Sequence, residues 1–105
     1  VLASGFTRLL QLISGARRRS VVIDLSTDDP TVIPGPVVLA GVYVTVVMSA
    51  HTVALSDDAV NKVILPASTT ANTSFDALGM KFETDLTITP NASSTGIIVV
   101  TYDEL

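Results

Sequence analysis

Between Pro30 and Ser56 the chain carries no Asp, Glu, Lys or Arg. An uncharged stretch of that length either crosses a membrane or is buried in a core, and the two outcomes demand different backbones. A spanning helix needs about 20 apolar residues in a row. Here Pro34, Gly35 and Pro36 interrupt the run, and its strongly apolar part is confined to residues 37–48. That part is dominated by valine, whose branched β-carbon suits a strand better than a helix. The stretch therefore reads as buried β-structure, and no membrane partner is expected. With 105 residues the chain has room for one hydrophobic core.

From Ser20 onward the apolar period is two, the period of a strand. Residues 20–25 read as a first strand. Residues 26–36 read as a turn-rich connector, broken by Asp29-Pro30 and Pro34-Gly35-Pro36. A long strand over residues 37–48 is expected to bend at Gly41. Two short strands, 52–55 and 61–65, precede a polar loop over residues 66–74. Residues 80–89 alternate most cleanly, with Met80, Phe82, Thr84, Leu86 and Ile88 on one face. A hairpin loop at 90–95 then leads into a last strand, 96–102. About seven short strands at this spacing predict an all-β fold, a small antiparallel β-sandwich or jelly-roll-like domain.

Two of these strands are apolar on both faces. In the last one, Ile97 and Val99 oppose Ile98, Val100 and Tyr102. In the long one, Val42, Val44, Val46 and Met48 oppose Tyr43, Thr45 and Val47. An antiparallel sheet commonly leaves one face wet. Hydrophobic residues make up 48% of the chain and charged residues 15%, against a typical charged share of ~25%. The surplus predicts a subunit interface, with Ile97 and Val99 as candidate members.

The N-terminal segment is built differently. Phe6, Leu9, Leu10 and Ile13 fall at helical spacing after a capping Ser4, and Gly15 supplies a stop. Residues 1–19 hold Arg8, Arg17, Arg18 and Arg19 and no acid, giving +4. Residues 20–105 hold two lysines against ten acids, giving −8 and a net charge of −4. The chain thus divides into a basic helix or arm, 1–19, and a β-sandwich domain, 20–105. The helix either packs on the core of its own domain or docks on another subunit through Phe6, Leu9, Leu10, Ile13, Arg17, Arg18 and Arg19. No apolar run ending in a small-residue cleavage site is present, so no signal peptide is expected.

Chemistry-bearing motifs are sparse. There is no cysteine, which removes disulfides and thiolate metal sites. His51 is the single histidine, in an expected turn, and no G-x-S-x-G elbow accompanies it. The carboxylates come as Asp28-Asp29, Asp57-Asp58, Glu83 with Asp85, and Asp103-Glu104. None follows the spacing of a calcium loop, and they read as solvated charges. No glycine-rich phosphate cradle is present. The basic run Arg17 to Arg19 is short and the remainder acidic, which argues against nucleic acid. No enzyme activity, catalytic residue, cofactor, metal or small-molecule substrate is expected.

The segments Gly41-Val42-Tyr43-Val44, Ser49-Ala50-His51-Thr52, Leu65-Pro66-Ala67-Ser68, Phe82-Glu83-Thr84 and Thr95-Gly96-Ile97-Ile98-Val99-Val100-Thr101-Tyr102 resemble a group of small virion proteins of tailed bacteriophages. The resemblance covers about 60 of the 105 residues and leaves out residues 1–19. It implies a β-rich virion component present in many copies. The expected role is a capsid decoration or cement protein, a homotrimer clamped on the phage head against the major capsid protein or other virion proteins. A rival expectation is a host-attachment knob or fibre domain that binds through the loops 66–74 and 89–95. A second rival, a hydrolase, would be marked by His51 hydrogen-bonded to a carboxylate beside a Ser or Thr.

Overall fold

The computed structural model describes residues 18–27 and 29–105, without the side chains of Ala77 and Leu78. The expected helix, with Phe6, Leu9, Leu10, Ile13 and Arg17, lies outside the described residues. The described chain forms eight strands: β1 (Arg18–Asp24), β2 (Thr31–Pro34), β3 (Val37–Val46), β4 (Val53–Asp57), β5 (Val60–Leu65), β6 (Thr73–Phe82), β7 (Asp85–Thr89) and β8 (Ile97–Glu104). They build two antiparallel four-stranded sheets, ordered β1-β8-β3-β6 and β2-β7-β4-β5. This is the strand order of a jelly roll.

The order follows from one long two-stranded ribbon. β4 and β5 form its tip, and β3 pairs with β6, β2 with β7, and β1 with β8 behind them. Rolling the ribbon brings β8 against β3 and β7 against β4. The ribbon turns three corners, each pinned by a backbone hydrogen bond between its two chains. At the first, the Leu25 N–H donates to the Gly96 carbonyl (2.9 Å). At the second, the Gly35 N–H donates to the Thr84 carbonyl (3.0 Å). At the third, the Met48 N–H donates to Thr69 (2.9 Å) and the Ser68 N–H to Ser49 (2.8 Å). Gly35 is required at its corner, because a Cβ there would lie 2.9 Å from the Thr84 carbonyl. The Gly35-Pro36 peptide is cis.

The core lies between the sheets. Leu25, Leu39, Leu55, Leu65, Phe82, Leu86, Ile88 and Ile98 are fully enclosed, and Phe82 is the largest of them. The clean alternation over residues 80–89 is real, but it belongs to two strands. β6 ends at Phe82 in one sheet, and β7 starts at Asp85 in the other. Phe82, Leu86 and Ile88 are buried on either side of an exposed Thr84. Inward stays inward when a chain crosses between facing sheets, so the period survives the corner. Residues 90–95 accordingly form a crossover and not the expected hairpin. The expected bend at Gly41 appears as a register shift between Leu39 and Gly41. A second shift, between Val44 and Val46, turns Val46 out of the buried row of Val42, Val44 and Met48.

Candidate interaction surface

Strand direction places the chemistry at two ends and on one face. The ribbon tip, the second corner and the C-terminal residues share one end. This end is charged. Asp57, the last residue of β4, is almost fully enclosed, and its carboxylate accepts from the N–H groups of Glu83 (2.9 Å), Thr84 (2.9 Å) and Asp85 (3.2 Å). Those backbone bonds, with Lys62 Nζ at 3.6 Å, hold its carboxyl below the usual carboxylate range against the cost of burial. Asp57 is therefore a clamp on the second corner, and not one of the solvated charges expected from the sequence. Lys62 also donates to the Lys81 carbonyl (2.7 Å) and lies 5.3 Å from the Phe82 ring centroid. A hollow of about 340 Å³ opens at this end beside Ile33, Pro34, Pro36, Tyr102 and Glu104.

Arg18 and Arg19, assigned from the sequence to the arm, lie within β1. Arg18 makes a two-pronged contact with Asp103 (2.9 and 3.0 Å), and Arg19 pairs with Glu104 (3.2 Å). The Arg18 hydrogen bonds hold the Asp103 carboxyl below its usual range. Both arginines are thus engaged by β8 of their own domain.

The opposite end gathers the loops. Residues 47–52, 66–72 and 90–96 contain no Asp, Glu, Lys or Arg. Ser49 joins them, for its carbonyl accepts from Ser68, its N–H donates to the Thr95 carbonyl (3.1 Å) and its Oγ accepts from the Thr95 N–H (3.1 Å). The sequence marked 66–74 and 89–95 as a pair of candidate loops, and the fold brings them to the same end. His51 is half-buried here, and among the described residues no side chain hydrogen-bonds to it. Among the described residues no three His, Cys, Asp or Glu side chains converge on a metal position, and no helix is long and apolar enough to cross a membrane.

The outer face of the β1-β8-β3-β6 sheet is graded from one end to the other. Next to the loops, Asp24, Ile97 and Val46 stand side by side on β1, β8 and β3. The adjoining row is Val22, Val99 and Tyr43. Val22 is 69% exposed, Val46 45% and Tyr43 37%, while Ile97 and Val99 are half-buried. The Tyr43 hydroxyl donates to Asn72 Oδ1 (2.6 Å), which fixes the ring at the loop end. A row of small residues follows, Ser20, Thr101 and Gly41, and then a charged row, Arg18, Asp103, Val38 and Lys81. Of the residues singled out for an interface, Arg18, Ile97 and Val99 share this face. Val22 and Tyr43 belong with them; their alternation with Val21, Ile23, Val42 and Val44 was the available signal. Searches against family models, curated proteins and solved structures give no match to the chain.

Proposed function

We propose that the chain is a structural virion protein, a capsid decoration or cement subunit that acts as a homo-oligomer on the head of a tailed phage. The observation that carries the reading is the apolar band Val22, Val99, Tyr43, Ile97 and Val46 on the outside of a sandwich whose core is already complete without it. A band of this kind suits a subunit that spends its life against other protein surfaces. The resemblance of residues 41–102 to small virion proteins supports the same role. In this reading His51 does no chemistry. The test is sedimentation of the purified chain with phage heads that lack it. The chain is expected to co-sediment and to raise the temperature at which the heads open. V22D and Y43D are expected to weaken attachment, and H51A to leave it unchanged. No co-sedimentation sinks the reading.

A second reading, a host-attachment knob, is favoured by the three uncharged loops gathered around Ser49. It is distinguished by binding to host cells that is abolished by substitutions at Thr70 and Asn91 and indifferent to V22D.

A further inference from the structure

The two sheets have four edges, and unprotected edges invite a further strand. Three of the four carry a protecting device. β2 has only four residues and ends on Pro34. β5 breaks its register opposite Leu55 and Ser56, beside Lys62. β6 breaks its register opposite Leu39 and Gly41, and Gly79 there has a φ of +81°. β1 differs. It runs seven residues in unbroken register with β8, without a bulge, Pro or Gly, and its charges, Arg18, Arg19 and Asp24, are confined to its ends. Among the described residues nothing pairs with its outer edge.

The sequence of β1, RRSVVID, carries opposite charges at its two ends, Arg18 and Asp24, on the same face. We infer that the outer edge of β1 pairs antiparallel with β1 of a second copy, Val21 opposite Val21, on a two-fold axis. This register keeps every side chain on its proper face, which only an even offset allows. On the outer face it sets Arg18 opposite Asp24 of the second copy, twice, and Ser20 opposite Val22. On the inner face the two half-buried Val21 side chains meet, and the exposed Arg19 of each copy lies opposite Ile23 of the other, its stem able to cover that side chain. Opposite charges directly across antiparallel strands are favourable, and like charges are not. Sliding the copies by one step of two residues loses both Arg18–Asp24 pairs, so charge selects the register. The pairing contributes on the order of six backbone hydrogen bonds, joins the two sheets into one of eight strands, and makes the apolar bands of both copies continuous. The unit it builds is a pair, and a trimer would need a second, different contact.

The inference rests on the homo-oligomer part of the proposed function and not on the particle. It is tested on the full chain, which has no native cysteine. Opposed residues in antiparallel strands have Cα atoms about 4.5 or 5.5 Å apart, both within disulfide reach. V21C is expected to link most of the chain into covalent dimers under mild oxidation. V60C, far away at the ribbon tip, is expected to stay unlinked. If V21C disturbs the core, an equimolar mixture of S20C and V22C serves instead, because those positions oppose each other on the exposed face. D24R sets like charges against each other at both ends and is expected to raise the dimer Kd by on the order of tenfold or more, with the circular dichroism unchanged. A monomeric chain overturns both this inference and the oligomer reading. An oligomer in which V21C and the mixture stay unlinked, or in which V22C alone links, overturns the edge pairing only.

Discussion

At the scale of single residues, Asp57 has the most concentrated role. One carboxylate gathers three N–H groups from a corner where neither sheet can satisfy them. D57A leaves those donors unpaired and is expected to lower the melting temperature by on the order of 10 °C, with D57N falling less because one acceptor remains. The acid response follows from the same geometry. The folded-state carboxyl sits below its unfolded value, so its stabilisation is complete above about pH 4 and drains away as the pH falls through the folded value. Asp24, which accepts from the Ser26 hydroxyl and N–H, and Asp103 act in the same direction. Melting temperature is expected to drop steeply below pH 4 in the natural chain and less steeply in D57N; parallel curves would show that Asp57 is not the responsible group. Directly after Asp57 the ribbon tip turns through Asp58 (φ 49°) and Ala59 (φ 64°). Positive φ at both central positions matches the hairpin's twist but crowds an alanine Cβ. A59G is expected to stabilise by about 1 kcal/mol in urea unfolding.

At the scale of elements, the corners decide more than the strands. The ribbon closes at Gly35 only because its α-carbon is bare, so G35A must push the Thr84 backbone away. It is expected to cost about 1–3 kcal/mol in urea unfolding, a loss comparable to overpacking a core. The corners also explain what could and could not be read in advance. Strand identity was legible wherever a core face alternated, as in Phe82, Leu86 and Ile88. The crossing between sheets at Glu83 and Thr84 was not, since the two-residue sequence alternation continues through it and only the exposure of Thr84 marks the corner. β2 was hidden because only Thr31, Val32 and Ile33 stand between two prolines; its pairing with β7 makes it a strand. The part of β6 before Met80, interrupted by Ser74, Asp76 and Gly79, carries a weak apolar pattern and takes its form from β3. The interface residues Ile97 and Val99 were visible as a second apolar face. Their companions Val22 and Tyr43 were legible as outward members of alternating strands, but that they form one band with Ile97 and Val99 emerges only when β8 is placed between β1 and β3.

At the scale of the whole molecule, the sandwich has a finished core and an unfinished surface. Truncating the largest buried side chain, F82A, is expected to cost about 3–5 kcal/mol, because Phe82 sits where the corner, the Lys62 stem and both sheets meet. The rolled ribbon also sets an order of events. Its pairs are nested, so each closes a longer loop than the one before, from the Asp58-Ala59 tip out to Arg18 and Asp103, 85 residues apart. Contacts between distant parts of a chain slow folding. During synthesis β1 emerges before the other described strands and must wait for β8, the last of them, before it is paired within the sandwich. Removing residues 97–105 therefore does more than shorten the protein. It strips β1 of its one neighbour among the described strands, parts it from β3, and leaves a ribbon that has zipped from its tip without the pair that closes its open end.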